Sequence, residues 1–198
     1  MATAQFLNVS SSETIPLEAF VPTGDNTSDN VAIQTLDAAG YTVDNYLWND
    51  WIAETPCWVN DSFEVVEGVS FAPGQGLWVY GSSADQGIQS AGKVGTIDVS
   101  VQLRNGGTVT GNPFPISVAL QDIIALGDDT SDNVAIQTLD AAGYTVDNYL
   151  WNDWIAETPC WVNDSFEVVE DVTFEPGQGL WVYGSSNAQY LQFPAPEL

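Results

Sequence analysis

Short runs in which apolar and polar residues alternate recur along this chain, and residues typical of turns separate them. Alternation with a period of two predicts a half-buried β-strand, because successive side chains of a strand point to opposite faces. Turn signals recur about every 8 to 12 residues, a spacing that favours a β-sandwich or a β-barrel. In the first half of the chain, the predicted strands are residues 5–9, 31–36, 41–48, 58–59, 63–66 and 77–80.

Two segments depart from this alternation and predict one helical turn each. Residues 14–20 and 117–123 begin with Thr14 and Ser117, residue types that cap the N-terminus of a helix. We therefore expect a short helix or a 3₁₀ turn near the start of each half.

The pattern of the first half returns in the second half. Residues 24–83 align without a gap with residues 127–186, and the two stretches differ at only four of 60 positions. Because surface positions drift freely, such identity implies a recent duplication or continual homogenisation of repeats. The four differing pairs are Asn26/Asp129, Gly68/Asp171, Ser70/Thr173 and Ala72/Glu175. The sequence therefore predicts an all-β fold of two tandem antiparallel β-sandwich modules, immunoglobulin-like or jelly-roll-like, at residues 1–93 and 94–198.

The stretch between the two repeats predicts a β-hairpin. Its strands would be residues 94–103 and 108–110, with Asn105, Gly106 and Gly107 as the turn. The first repeat has no counterpart of residues 94–103, so either this strand closes the first module or one module keeps an open edge. An open edge invites pairing with another chain, by strand addition or by head-to-tail assembly. The apolar side chains of this predicted assembly strand are Ile97, Val99, Val101 and Leu103.

The charge of the chain narrows its possible partners and location. There are 27 acidic residues against two basic residues, Lys93 and Arg104, and no His, which gives a formal net charge of −25 at pH 7. The electric field of such a negative chain repels phosphate backbones and anionic lipid. We therefore expect neither nucleic-acid binding nor membrane insertion. The scarcity of Lys and Arg leaves trypsin-like proteases few sites, which we interpret as a sign of an extracellular or cell-surface location. Adaptation to high salt and plain compositional bias are the alternatives.

Targeting and membrane signals are sparse. No stretch approaches the roughly 20 apolar residues of a membrane-spanning helix. No signal peptide is evident either, so a secreted protein would be represented here in its mature form.

The residue types also restrict the chemistry. Without His, the chain cannot form a Ser-His or Cys-His pair or an imidazole metal site, which excludes catalytic triads and zinc hydrolases. Two carboxylates could still act as a glycosidase pair, but the acidic residues mostly adjoin turn residues, and an enzyme rarely needs two near-identical small modules. We therefore predict that the chain is not an enzyme.

A calcium ion is the one cofactor that the sequence leaves open. The acidic loops at residues 25–30 and 128–133 offer the carboxylate and amide oxygens that Ca²⁺ prefers, although the EF-hand spacing is absent. A solvated turn is the alternative interpretation. The weak candidate ligands are Asp25, Asp29, Asp128 and Asp132.

Aromatic residues supply the best argument for a ligand. The chain has eight Trp, seven Tyr and eight Phe residues, and exposed rings can stack on sugar rings in extracellular binding modules. Large aromatic residues also fill the space between sheets, which is the expected role of Trp58 and Trp78 in their apolar strands. The predicted ligand-binding residues flank the Asn-Asp loop of each repeat, and they are Trp48, Trp51, Trp151 and Trp154.

The two cysteines occupy equivalent positions, Cys57 in the first repeat and Cys160 in the second. A disulfide within one module is therefore impossible. A bridge between the modules, a bridge between molecules, and two free buried thiols stay open as alternatives.

Two motifs carry a family resemblance. GNPFP at residues 111–115, a Trp-rich middle stretch and PGQGLWV at residues 176–182 resemble the repeat modules of secreted bacterial cell-surface and adhesion proteins. PGQGLWV returns at residues 73–79, whereas Ser occupies residues 10–12, in place of 113–115. The resemblance implies β-sandwich building blocks without catalytic residues.

Two functions fit these observations. The preferred hypothesis is a non-enzymatic extracellular structural subunit that self-assembles through β-strand edges into a surface filament, matrix or layer, that is, a homopolymer. The alternative is a carbohydrate-binding or adhesive module that binds an extracellular glycan through duplicated aromatic sites.

Overall fold

The computed structural model describes residues 3–9, 13–83, 85–90, 96–140 and 143–195. The described chain is all-β, as predicted, with two 3₁₀ turns at Leu17–Ala19 and Leu120–Asp122. The strands of the first half are β1 (Thr3–Asn8), β2 (Ile15–Pro16), β3 (Val21–Thr23), β4 (Ala32–Leu36), β5 (Thr42–Asn49), β6 (Cys57–Val59), β7 (Ser70–Phe71), β8 (Gly76–Gly81) and β9 (Gly87–Gln89). Those of the second half are β10 (Val99–Gln102), β11 (Gly106–Gly111), β12 (Val118–Ala119), β13 (Ile124–Leu126), β14 (Ala135–Leu139), β15 (Thr145–Asn152), β16 (Cys160–Val162), β17 (Thr173–Phe174), β18 (Gly179–Gly184) and β19 (Tyr190–Phe193).

Each half contains one antiparallel five-stranded sheet, and the two sheets have the same order. The first is β1-β8-β4-β5-β6 and the second is β11-β18-β14-β15-β16. A tight turn between β4 and β5 sets the register, because the Asp37 carboxylate accepts the backbone N–H groups of Ala39 and Tyr41 at 2.8 and 2.9 Å. Gly40 adopts φ 84° there, a left-handed conformation that glycine takes without a Cβ clash.

Shorter sheets complete each half, and here the halves differ. In the second half, β19 pairs with β10 on one side and with β13 on the other. In the first half its counterpart β9 pairs with β3, and no other described strand lies beside it. Leu191 of β19 is consequently fully buried, whereas the equivalent Ile88 of β9 stays partly exposed.

Two hydrophobic clusters form, one within each half. A fully buried indole lies in each cluster, as predicted for Trp58. Its Nε1 donates to the Phe20 carbonyl at 3.0 Å, and Trp161 makes the same bond to Ile123 at 2.8 Å. These bonds join each large sheet to the segment after its 3₁₀ turn, because a buried indole N–H needs an acceptor.

The motif residues have structural roles. Asn112 of GNPFP is buried, and its side-chain amide donates to the carbonyls of Ile116 and Phe174 at 2.6 and 2.9 Å. Phe114 is fully buried in the second cluster. In PGQGLWV, the Gln178 side chain accepts the N–H of Glu175 and closes the corner before β18. Both motifs therefore fix loop segments of the second half, GNPFP against the second hydrophobic cluster and PGQGLWV at the corner before β18.

Three local predictions are wrong. The 3₁₀ turns follow Pro16 and Ala119, which form no side-chain cap, so Thr14 and Ser117 are not the caps. Residues 63–66 form no strand, because Phe63 adopts φ 59° in a turn. Val65 forms only an isolated bridge with Val59.

The predicted hairpin is the third error. β10 pairs with β19 and β11 with β18, so the two strands belong to different sheets. Leu103 N donates to Gln189 O at 2.8 Å, and Arg104 N donates to Thr108 Oγ1 at 3.0 Å, which turns the chain from one sheet to the other. The predicted boundary between residues 93 and 94 and the residues 10–12 lie outside the described residues.

The two halves pack against each other through β1 and β8 of the first and β11 and β18 of the second. An ideal Cβ on Gly40 would lie 3.1 Å from Cη2 of Trp181, and one on Gly143 would lie 3.3 Å from Cη2 of Trp78. These two contacts are the same contact with the halves exchanged. Such reciprocity is the property of a two-fold interface, so the repeats are related by an approximate two-fold axis rather than by a translation.

Candidate functional site

The most distinctive surface feature is an exposed tryptophan that follows β5 in the first half and β15 in the second. The buried Asn49 positions Trp51, because its side-chain oxygen accepts the N–H groups of Trp51 and Ile52 at 3.1 and 2.8 Å. Trp51 Nε1 then donates to Asp29 Oδ2 at 2.8 Å, and Asn49 Nδ2 donates to Asp29 Oδ1 at 2.8 Å. The indole is thus held at its backbone and at its polar edge.

A phenylalanine from a neighbouring turn lies against this indole. The Phe63 ring centroid is 6.0 Å from that of Trp51, at an interplanar angle of 38°. The backbone of Phe63 has φ 59°, a left-handed conformation that is rare and costly for a bulky residue. The Asn60 side chain sustains it by accepting the N–H groups of Ser62 and Glu64 at 2.9 and 3.0 Å.

The second half repeats the arrangement in full. Trp154 Nε1 donates to Asp132 Oδ2 at 2.9 Å, and its ring is 5.9 Å from that of Phe166, which has φ 60°. Both tryptophans are 63% exposed, and Phe63 and Phe166 are 46% and 48% exposed. We call Trp51 with Phe63, and Trp154 with Phe166, the two aromatic platforms.

Of the predicted ligand-binding residues, the structure exposes Trp51 and Trp154, buries Trp151, and leaves Trp48 partly buried. Trp48 packs edge-to-face on Trp58 at 5.2 Å, and Trp151 packs on Trp161 at 5.1 Å. Trp151 is 7% exposed and belongs to the second hydrophobic cluster, whereas Trp48 is partly exposed and packs against the first cluster. The cause is register, because β5 points Trp48 inward and the turn after Asn49 sends Trp51 outward.

The sequence pattern does not predict Phe63 and Phe166 as site residues, because the alternation at residues 63–66 predicts a strand. The signal was present in Asn60-Asp61-Ser62, since such residues favour a turn and place the next residue in it.

The predicted calcium ligands make other contacts. Both oxygens of Asp29, and both of Asp132, accept N–H groups from the neighbouring Asn and Trp side chains. The backbone carbonyls of Asp25 and Asp128 accept the side-chain amides of Gln86 and Gln189. Within the described ranges, no three acidic or cysteine side chains converge on a common point. Calcium binding stays a prediction.

Both cysteines are free and half-buried, on the edge strands β6 and β16. No disulfide therefore joins the halves, and a bridge between molecules stays a prediction.

The predicted assembly strand is engaged within the chain. Val99 and Leu103 are buried in the second cluster, Val101 packs partly against it, and Ile97 is exposed outside β10. An ideal Cβ on Gly74, in the first half, would lie 2.7 Å from Val101 Cγ2. β10 thus closes the second half and contacts the first half.

A groove of about 360 Å³ lies between the two halves. It is symmetric, since each lining residue of the first half is matched by the residue 103 positions later. The first-half residues are Gln34, Leu36, Gly40, Thr42, Trp78 and Tyr80. Trp78, expected in the core, lies here and meets Tyr80 edge-to-face at 5.7 Å.

Hydrogen bonds hold the halves together beside the groove. Thr110 Oγ1 donates to Gly74 O at 2.6 Å, and Gly107 N donates to Ala38 O at 2.8 Å. Arg104 Nη1 donates to Leu36 O at 3.3 Å. One of the two basic residues of the chain is therefore committed to the contact between the halves.

Comparison with protein-family models, with curated proteins and with solved structures found no match. Among the described residues, no helix has the length and apolar character needed to cross a membrane.

Proposed function

We propose that the chain is a non-enzymatic extracellular structural subunit, built from two β-sandwich modules, that joins neighbouring copies through β-strand edges into a filament, matrix or layer. The observation that carries the proposal is the edge of β9. The second half covers the equivalent edge of β19 with β10, whereas β9 has β3 on one side and no described strand on the other.

The apolar character of this edge supports the same function. Ile88 corresponds to the buried Leu191 but stays partly exposed, and an edge strand with unpaired backbone groups is a template for another strand. The occupant that we propose is an edge strand of a second copy. The face between the halves is already occupied by their two-fold packing, so assembly has to use another surface of the subunit.

The test is self-association measured by sedimentation velocity over a range of protein concentrations, with negative-stain electron microscopy of the largest species. We expect the wild-type chain to form extended assemblies. Ile88→Lys should leave it monomeric, because a charged edge residue opposes strand addition. Ile88 also packs against the first cluster, so circular dichroism has to show that this variant is folded.

Val43→Lys is the matched control. It adds the same charge at an exposed position on β5, which belongs to the large sheet and not to the sheet of β9, and it should assemble as the wild type does. A wild-type chain that is monomeric at high concentration would refute the proposal, as would equal assembly of the Ile88→Lys and wild-type chains.

A further inference from the structure

The orientation of the aromatic platforms decides which part of each ring a ligand can reach. Trp51 turns its N–H edge toward Asp29, and its 63% exposure therefore belongs mainly to the ring system. Phe63 stands at 38° to it. Two rings that touch at this angle form a bent surface rather than one flat plane, so they suit a compact group that lies on one ring face better than a wide, flat pyranose ring.

The hydrogen bond at the indole edge strengthens one kind of contact. A carboxylate that accepts Nε1–H from Trp51 polarises the indole and increases the negative charge of its π face. The π face of Trp is the ring surface that attracts cations most strongly. The Asp29 carboxylate adds its own charge close behind the ring.

The charges around the platform favour the same ligand. Asp50, adjacent to Trp51, and Asp61, two residues before Phe63, are exposed, and the chain carries a net charge of −25. This field attracts a cation over long range and repels an anion, whereas a neutral sugar gains nothing from it.

We infer that each aromatic platform binds a cationic side chain, and that its partner is a polypeptide segment that presents arginine. A guanidinium group is planar and stacks on aromatic faces, and it enters such contacts more often than an ammonium group. Arg104 is the single arginine of this chain, and its side chain already bonds to the Leu36 carbonyl. The arginine partner is therefore a different protein. The platforms are separate from β9, so this inference and the proposed function can fail independently.

The experiment measures binding of the peptide acetyl-Gly-Arg-Gly-Arg-Gly-amide by isothermal titration, with the indole N–H signals of Trp51 and Trp154 followed by NMR. The matching Gln peptide and cellohexaose are the neutral probes. We expect the Arg peptide alone to bind, to shift both indole signals, and to weaken as ionic strength rises to the physiological range.

The variants separate the platforms from the general charge of the chain. Trp51→Ala with Trp154→Ala should lower the affinity for the Arg peptide roughly two- to fivefold, the range expected for one exposed cation–π contact. Tyr41→Ala with Tyr144→Ala is the matched control, because these tyrosines are 74% and 72% exposed and lie outside the platforms. The tyrosine variant should bind like the wild type.

A second variant removes the other ring without disturbing the turn. Phe63→Gly with Phe166→Gly suits the positive φ at both positions, so the melting temperature should stay close to that of the wild type while the Arg peptide again weakens by roughly two- to fivefold. Trp51→Ala alone should leave only the Trp154 indole shifted by the peptide.

Three outcomes would overturn the inference. Equal binding of the Arg and Gln peptides, or binding of neither, would remove the preference for a cation. An equal loss of Arg-peptide affinity in the tyrosine control would show that the peptide does not bind at the platforms. Binding of cellohexaose with a shift of the same indole signals would identify a sugar site instead.

Discussion

At the scale of single residues, Phe63 and Phe166 are the positions where local conformation and residue type disagree. Both keep a left-handed backbone that favours glycine, and both place an exposed ring against a tryptophan. Strain at a bulky residue that lies at the surface beside an aromatic partner indicates a constraint other than core packing. It is the reason for treating the platforms as functional.

This strain predicts an unusual order of stability. Phe63→Ala and Phe63→Gly both remove the ring, but only Ala retains the Cβ that clashes at φ 59°. We expect the Gly variant to be more stable than the Ala variant by about 1 kcal/mol. Urea unfolding of the two variants gives the difference directly, and a more stable Ala variant would contradict the strain.

Two buried tyrosines predict how stability depends on pH. Burial, and then the charge of Asp44, raises the pKa of Tyr46, and burial and Asp147 do the same to the pKa of Tyr149. The folded state therefore holds these protons more tightly than the unfolded state. Their contribution is complete below the unfolded pKa of about 10 and is lost as the pH rises through the raised folded pKa.

We accordingly expect the free energy of unfolding to fall above pH 10 or so. Tyr46→Phe with Tyr149→Phe should make this fall shallower, as measured by urea unfolding between mildly and strongly alkaline pH. Tyr41→Phe with Tyr144→Phe, at exposed positions, is the control. In this variant the free energy of unfolding should decrease with pH as it does in the wild type. An identical slope in both double variants would disprove the role of the buried pair.

At the scale of elements, the first residue of β8 shows how closely the two halves approach. An ideal Cβ on Gly76 would overlap Val109, including its backbone carbonyl carbon, on β11 of the other half. Backbone atoms within a paired strand cannot move aside without disturbing the sheet, so this position requires the absence of a side chain.

Gly76→Ala should therefore destabilise the protein by roughly 1–3 kcal/mol, the usual cost of overpacking. Gly68→Asp is the control, because a Cβ on Gly68 meets nothing within 4 Å and the second repeat has Asp171 at this position. Gly68 has φ 73° and Asp171 adopts φ 64°, so the control costs only the strain of a left-handed Asp, at most about 1 kcal/mol, and it should lose less stability than Gly76→Ala. Calorimetry of both variants makes the comparison, and equal stability would show that the halves do not approach as described.

At the scale of the whole molecule, the approximate two-fold axis turns a duplicated sequence into one body with two equivalent platforms. The reciprocal contacts of Trp78 with Gly143 and of Trp181 with Gly40 bury the shared face. A two-fold interface closes on itself, so further growth has to use another surface. For that reason the proposed assembly relies on β9 and not on the face between the halves.

The same contacts predict cooperative unfolding. We expect the wild-type chain to unfold in one calorimetric transition, because each half stabilises the other. Trp78→Ala with Trp181→Ala should lower the melting temperature and separate two transitions. Two transitions in the wild type would show that the halves fold independently.

The sequence by itself determined the all-β class, the equivalence of the repeats and most of the long strands, because alternation and turn residues are local properties. It also selected the tryptophans on both sides of each Asn-Asp turn as ligand-binding residues, of which only Trp51 and Trp154 are exposed. It could not determine the partners of β10, because a strand pattern does not specify which edge it joins, and β19 lies 88 residues or more further along the chain. Only the tertiary structure decided that Trp48 packs inward, that Phe63 faces Trp51, and that a two-fold axis relates the halves, because each of these depends on contacts between residues distant in sequence.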